Sequence, residues 1–85
     1  MLNKGNSLKP SHASVADLLA EREMQVFEFT GQGLSTREIA AQLHIDMKTV
    51  DTYRKRIKEK LNLASSSALL KLAIQWNHDH EGYST

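Results

Sequence analysis

Residues 47–60 hold six basic side chains against two acidic ones, a net charge of +4 within the length of one helix. The chain as a whole carries only +1, because residues 17–46 carry −4, residues 61–85 carry −1 and residues 1–16 carry +2. A positive block of this kind points toward an anionic partner. Its side chains suit the edges and walls of a nucleic-acid groove. Lys55 can donate to guanine O6 or N7. The Thr52 methyl can meet a thymine methyl while its hydroxyl bonds a base edge. Asp51 can accept from a cytosine N4 amine, and phosphate repels it. Lys48, Arg56 and Lys58 are suited to phosphates, which hold register without reading sequence.

Such side chains act together only if one element presents them on one face. A helix turns 100° per residue. With Val50 set at zero, Tyr53, Ile57 and Leu61 fall within about 60° of it, and Lys48, Thr52, Lys55 and Glu59 fall opposite. Asp51 and Lys58 flank one side of the outer face and Arg56 the other. Asp46 is a favourable N-cap for this helix, which runs to about Leu61, and Asn62 can take the left-handed position after it.

Three further helices are predicted around it. One runs from about Asp17 or Ala20 to Gly31, with Glu23, Val26, Phe27 and Thr30 on one face and Leu19 a turn earlier. Gly31 and Gly33 end it, glycine being the residue that takes the left-handed cap at little cost. The next opens on Ser35-Thr36-Arg37-Glu38, a capping box, and carries Ile39, Ala40 and Leu43 as its apolar stripe; His44 and Ile45 break the pattern. The last begins near Ser65 and continues through Trp76. No segment alternates with period two, so no strand is predicted. A short helix, a three-residue turn and a longer helix with a basic outer face form the sequence image of a helix-turn-helix. The fold class is therefore all-α, a four-helix helix-turn-helix domain over residues 17–77. Polar composition predicts a linker or disordered arm over 1–16 and a disordered tail over 78–85.

Glu23 stands in an apolar stripe, where a carboxylate requires a partner. The expected partner is Lys60, beside the inward Leu61. On the last helix Leu69, Leu72, Ala73 and Trp76 can face the core, which leaves Ser67, Leu70, Lys71 and Ile74 on a second side. That side is either covered by a wide core or is a small two-fold seam.

Other functions are excluded or disfavoured. Eighty-five residues leave little room for an enzyme with its own cavity. With no cysteine, disulfide frameworks, zinc fingers and thiol catalysis are ruled out. His78 and His80 in a polar tail are weak metal ligands, so neither metal nor cofactor is expected. Gly31 and Gly33 do not form a dinucleotide fingerprint, since no strand precedes them and Thr36 stands where a third glycine belongs. Ser, His and Asp form no recognisable triad, and a non-enzyme is expected. No apolar run approaches membrane-span length, and a cytoplasmic, nucleoid-associated location is expected.

The run from Leu19-Ala20-Glu21-Arg22-Glu23 through Gly33-Leu34-Ser35-Thr36-Arg37-Glu38-Ile39-Ala40 is similar to the pattern L-T-x-R-E…G-x-S-x-x-E-I-A. Lys48-Thr49-Val50, Tyr53, Ile57 and Lys60-Leu61 resemble K-T-V-x-x-H/Y-x-x-x-I-x-x-K-L. Together they resemble the DNA-binding domain of the LuxR/FixJ/NarL family of bacterial transcription regulators, over about Leu19 to Trp76 without gaps. The resemblance implies sequence-specific binding to double-stranded DNA and regulation of transcription, with the third helix reading the major groove and the fourth making a homodimer. It assigns base contacts to Asp51, Thr52 and Lys55. It assigns backbone contacts to Lys48, Thr49, Tyr53 and Arg56, to which the outer-face geometry adds Lys58. Dimerisation falls to Ser67, Leu70, Lys71 and Ile74. It also implies an N-terminal receiver or sensor domain, with RNA polymerase as a further candidate partner. The sequence departs from the pattern at Ala20, where threonine is usual, at Asp46, often serine, and at Asn62, usually glycine.

Overall fold

The computed structural model describes the backbone of residues 11–84 and the side chains of residues 15–79. Among the described residues five helices follow in order: α1 (Ser11–Leu18), α2 (Glu21–Gly31), α3 (Thr36–Leu43), α4 (Met47–Lys60) and α5 (Ser66–Ser84). Among the described residues there is no strand. The last four helices are those the sequence predicts, with the helix-turn-helix formed by α3 and α4.

The helix boundaries follow from local chemistry. At α3, Ser35 Oγ accepts from the Glu38 N–H at 3.1 Å and the Glu38 carboxylate accepts from the Ser35 N–H at 2.8 Å, so two end amides are satisfied reciprocally. At α4, Asp46 accepts from the Thr49 N–H at 2.8 Å. At α5, Ser65 Oγ accepts from the Ala68 N–H at 3.1 Å. α2 has only half of this device: Ala20 has no cap atom, and Glu23 accepts from the Ala20 N–H at 2.8 Å. His44 and Asn62, which close α3 and follow α4, adopt the left-handed backbone at φ 58° and 57°.

The two glycines after α2 serve different needs. Gly33 has φ 89° with open space around it, so its backbone conformation requires glycine. Gly31 is the last residue of α2, and a Cβ there would collide with the Ala73 carbonyl oxygen and lie 2.5 Å from Asn77 Nδ2. It is present for close approach to α5 and takes no left-handed cap.

Two segments depart from the sequence expectation. The arm predicted over 1–16 is helical from Ser11, and residues 1–10 lie outside the described residues. Pro10 in the sequence immediately precedes that helix, a favourable place for a residue without an amide proton. Val15 and Leu19, one turn apart, are both buried, and they tie the segment to the core. The predicted tail is also helical, since α5 runs on to Ser84; Thr85 lies outside the described residues. No proline interrupts it, and extending an existing helix requires no new nucleation. The Gln75 amide donates to Asp79 at 3.2 Å within this extension.

α2 is the centre of the packing and touches α3, α4 and α5. Val26 and Phe27 of α2, Ile39 of α3, Val50 and Ile57 of α4 and Ala73 of α5 are completely buried. Phe27 meets Trp76 edge to face, with ring centroids 6.2 Å apart. Asn77 Nδ2 donates to the Glu28 carbonyl at 2.7 Å, a second donor beside the Gln32 N–H at 3.1 Å, and so ties α5 to the last turn of α2.

Candidate nucleic-acid interface

Burial divides α4 into two faces. Val50 and Ile57 have no exposure, and Tyr53 and Leu61 pack half-buried against the same core. Lys48, Asp51, Thr52, Lys55, Arg56 and Glu59 are exposed on the other side, as the 100° rotation requires. Lys58 and Thr49 are half-buried at its margins. The structure therefore brings Asp51, Thr52 and Lys55 together on one solvent-facing surface, with Lys48 and Arg56 beside them.

Two hydroxyls on this helix are engaged internally. Thr49 Oγ1 donates to Asp46 at 2.6 Å, and the two Thr49 bonds, hydroxyl first and amide second, hold the Asp46 carboxyl below its usual range. Thr52 Oγ1 donates to the Lys48 carbonyl at 3.1 Å, which turns its lone pairs outward. Thr52 thus presents an acceptor and a methyl to whatever lies on this face.

The structure pairs Glu23 with Lys60, Nζ lying 2.7 Å from Oε1, with Glu23 enclosed and the Lys60 side chain 41% exposed. Burial pushes the Glu23 carboxyl up. The Lys60 hydrogen bond, the Ala20 N–H and the charges of Lys60 and Arg56 outweigh it and hold the carboxyl below its usual range. The pair joins α2 to the last turn of α4 and so fixes the far end of the exposed face.

On α5, Leu69, Ala73 and Trp76 are buried and Leu72 is half-buried. Ser67, Leu70, Lys71 and Ile74 are exposed, Leu70 by 41% and Ile74 by 48%. The core does not cover the second side of this helix. No group of three or more His, Cys, Asp or Glu suited to a metal occurs among the described residues, and no helix there is long and apolar enough to cross a membrane.

The family model for bacterial regulatory proteins of the luxR family matches residues 17–73. The chain belongs to the luxR family. Luxr-family resemblance extends to curated relatives. The chain is 35% identical over 76 residues to BvgA of Bordetella pertussis, described as a positive transcription regulator of virulence factors, covering 89% of this chain and 36% of that protein. It is 44% identical over 57 residues to the transcriptional activator protein ExaE of Pseudomonas putida, covering 67% and 27%. It is 40% identical over 57 residues to the response regulator UvrY of Escherichia coli, covering 67% and 26%. The chain thus spans about a third or less of the length of these relatives. No solved structure gives a significant match. As a luxR-family domain, this is a DNA-binding unit of the kind that serves transcription regulation.

Two residues of this luxR-family domain escaped the sequence reading. Arg54 was counted only as charge. The same rotation puts it about 40° from Val50, on the inner side, and it is half-buried there. Its Nη1 donates to Thr36 Oγ1 at 2.6 Å, across the helix-turn-helix. Asn77 stands at the end of the domain predicted over 17–77 with no role assigned to it, yet it donates from α5 to a carbonyl of α2. No local spacing signals that contact, because its partner lies 49 residues away.

Proposed function

We propose that this domain binds double-stranded DNA sequence-specifically, with α4 in the major groove, and works as the output domain of a bacterial regulator. The single observation behind this reading is the division of α4. Val50 and Ile57 are fully buried, which leaves Lys48, Asp51, Thr52, Lys55 and Arg56 exposed on one basic face. Asp51, Thr52 and Lys55 contact base edges. Lys48, Thr49, Tyr53, Arg56 and Lys58 line the phosphate walls. The exposed side of α5, with Ser67, Leu70, Lys71 and Ile74, pairs two copies about a two-fold axis, so that two half-sites are read together. The role is binding rather than catalysis, and it is carried out in the cytoplasm on nucleoid DNA. A receiver or sensor domain supplies the signal, and RNA polymerase is the further partner. The length of the relatives and the name response regulator carried by one of them support the receiver.

Selection of bound duplexes from a random pool tests the reading. It should return a consensus made of two related half-sites, and affinity should fall steeply with salt as phosphate counterions are released. Absence of any bound duplex at low ionic strength, or binding that ignores salt, refutes it.

A further inference from the structure

We infer that Arg54 is a positioning residue: its hydrogen bond to Thr36 sets the rotation of α4 about its own axis and so determines which bases the outer face reads. The inference rests on the reading of α4 as the helix that enters the groove. Arg54 lies at the middle of α4 and on its inner side, and its guanidinium leaves the outer face altogether. Nη1 reaches the hydroxyl of Thr36, the first residue of α3, at 2.6 Å. Nε is enclosed and has no acceptor. The side chain also lines a shallow groove with Leu34, Leu69 and Leu70.

A guanidinium in this place is a poor choice for stability alone. It partly desolvates a cation, engages a neutral hydroxyl and leaves one N–H unsatisfied, where an apolar side chain of similar length would bury no charge and leave only the half-buried Thr36 hydroxyl to water. What it supplies is a directional bond between the two helices of the helix-turn-helix. Apolar packing of Val50 and Ile57 holds α4 against the core but resists rotation only weakly, since such contacts have no direction. Side-chain tips on α4 lie roughly 6 Å from its axis, so a turn of about 20° moves them by about 2 Å, enough to break a base contact. At the start of α3, Ser35 and Glu38 occupy two of the end amides and the Glu38 carboxylate stands beside them.

The experiment uses the chain on its selected duplex and on a random duplex, with Arg54→Met and Thr36→Val measured beside the parent. Each variant should lower the ratio of specific to non-specific affinity by about tenfold, the discrimination of one base contact. The slope of log affinity against log salt should stay unchanged, because no phosphate contact is removed. The thermal midpoint of Arg54→Met should not fall. If Arg54→Met fails to fold, Thr36→Val, which keeps the charge and removes only the acceptor, decides the matter. Uniform weakening on all duplexes with a slope lower by about 0.9 would make Arg54 a phosphate contact and overturn the inference. So would an unchanged specificity ratio in Thr36→Val. Failure of the parent chain to bind any duplex would instead remove the function proposed above.

Discussion

Replacing Lys60 with alanine strands the Glu23 carboxylate in the core. In the folded chain Glu23 is enclosed, 4% exposed at its side chain, and keeps two donors, the Lys60 ammonium at 2.7 Å and the Ala20 N–H at 2.8 Å. Removing one partner of a fully buried pair costs about 3–5 kcal/mol, and an exposed pair contributes less than about 1. Lys60 is 41% exposed, so water screens part of the interaction and can replace part of it. A loss of about 2–3 kcal/mol is expected, on the order of 10–20 °C in the thermal midpoint of a domain this size. The loss should depend on pH. The folded-state pKa of Glu23 is depressed, so its contribution is present above the unfolded value near about 4.3 and disappears as pH falls through the lower folded value. In Lys60→Ala the two lowering contributions from Lys60 vanish while burial still raises, so the variant's carboxyl rises relative to the parent's and protonates more readily in acid. Thermal unfolding of both chains across pH 3.5 to 7 should show the gap widest at neutrality and closing toward acid. The double variant Lys60→Ala with Glu23→Gln should recover part of the loss at neutral pH, because no charge remains buried. A gap below about 0.5 kcal/mol, or one that does not change with pH, would refute the reasoning.

Three further results are expected. Gly31→Ala should destabilise by about 1–3 kcal/mol through collision with the Ala73 backbone, and Gly33→Ala by about 1–2 through its positive φ alone; denaturant titration separates them from a neutral change. Lys55→Ala should weaken binding to the selected duplex by about 1–3 kcal/mol and relax preference at one base pair, read by binding to single-base variants of that duplex. Lys48→Ala or Arg56→Ala should weaken all duplexes alike and lower the salt slope by roughly 0.9 for each phosphate contact removed, measured by titration at several salt concentrations.

Features that are decided within a few residues could be read from the chain directly. Ser35 with Glu38, Asp46 before α4 and Asn62 after it are local hydrogen-bonding or backbone devices, and each occupies its expected place. The outer face of α4 followed from periodicity alone, since one fixed rotation relates Val50 to Lys55. The partnership of Glu23 with Lys60 was legible because a carboxylate in an apolar stripe needs a cation. Features set by distant packing were not legible. Val15 and Leu19 are too few to mark a helix among polar neighbours, and α1 owes its place to the core they enter. Gly31 reads as a stop, whereas its reason is the Ala73 backbone over 40 residues later. Arg54 belongs to a basic run, and only the angle of its position separates it from the side chains that face outward.

The tight crossing at Gly31, with Asn77 bonded over it, has a consequence for operator length. It clamps α5 to α2, and the Glu23–Lys60 pair clamps α2 to α4, so α5 and α4, the helices proposed above to pair two copies and to read the groove, are held in one frame. In a pair joined through α5, the two groove helices keep a set separation and phase. One base pair inserted between the half-sites shifts a target by about 3.4 Å and rotates it by roughly 35°, and nothing in such a frame can give way to follow it.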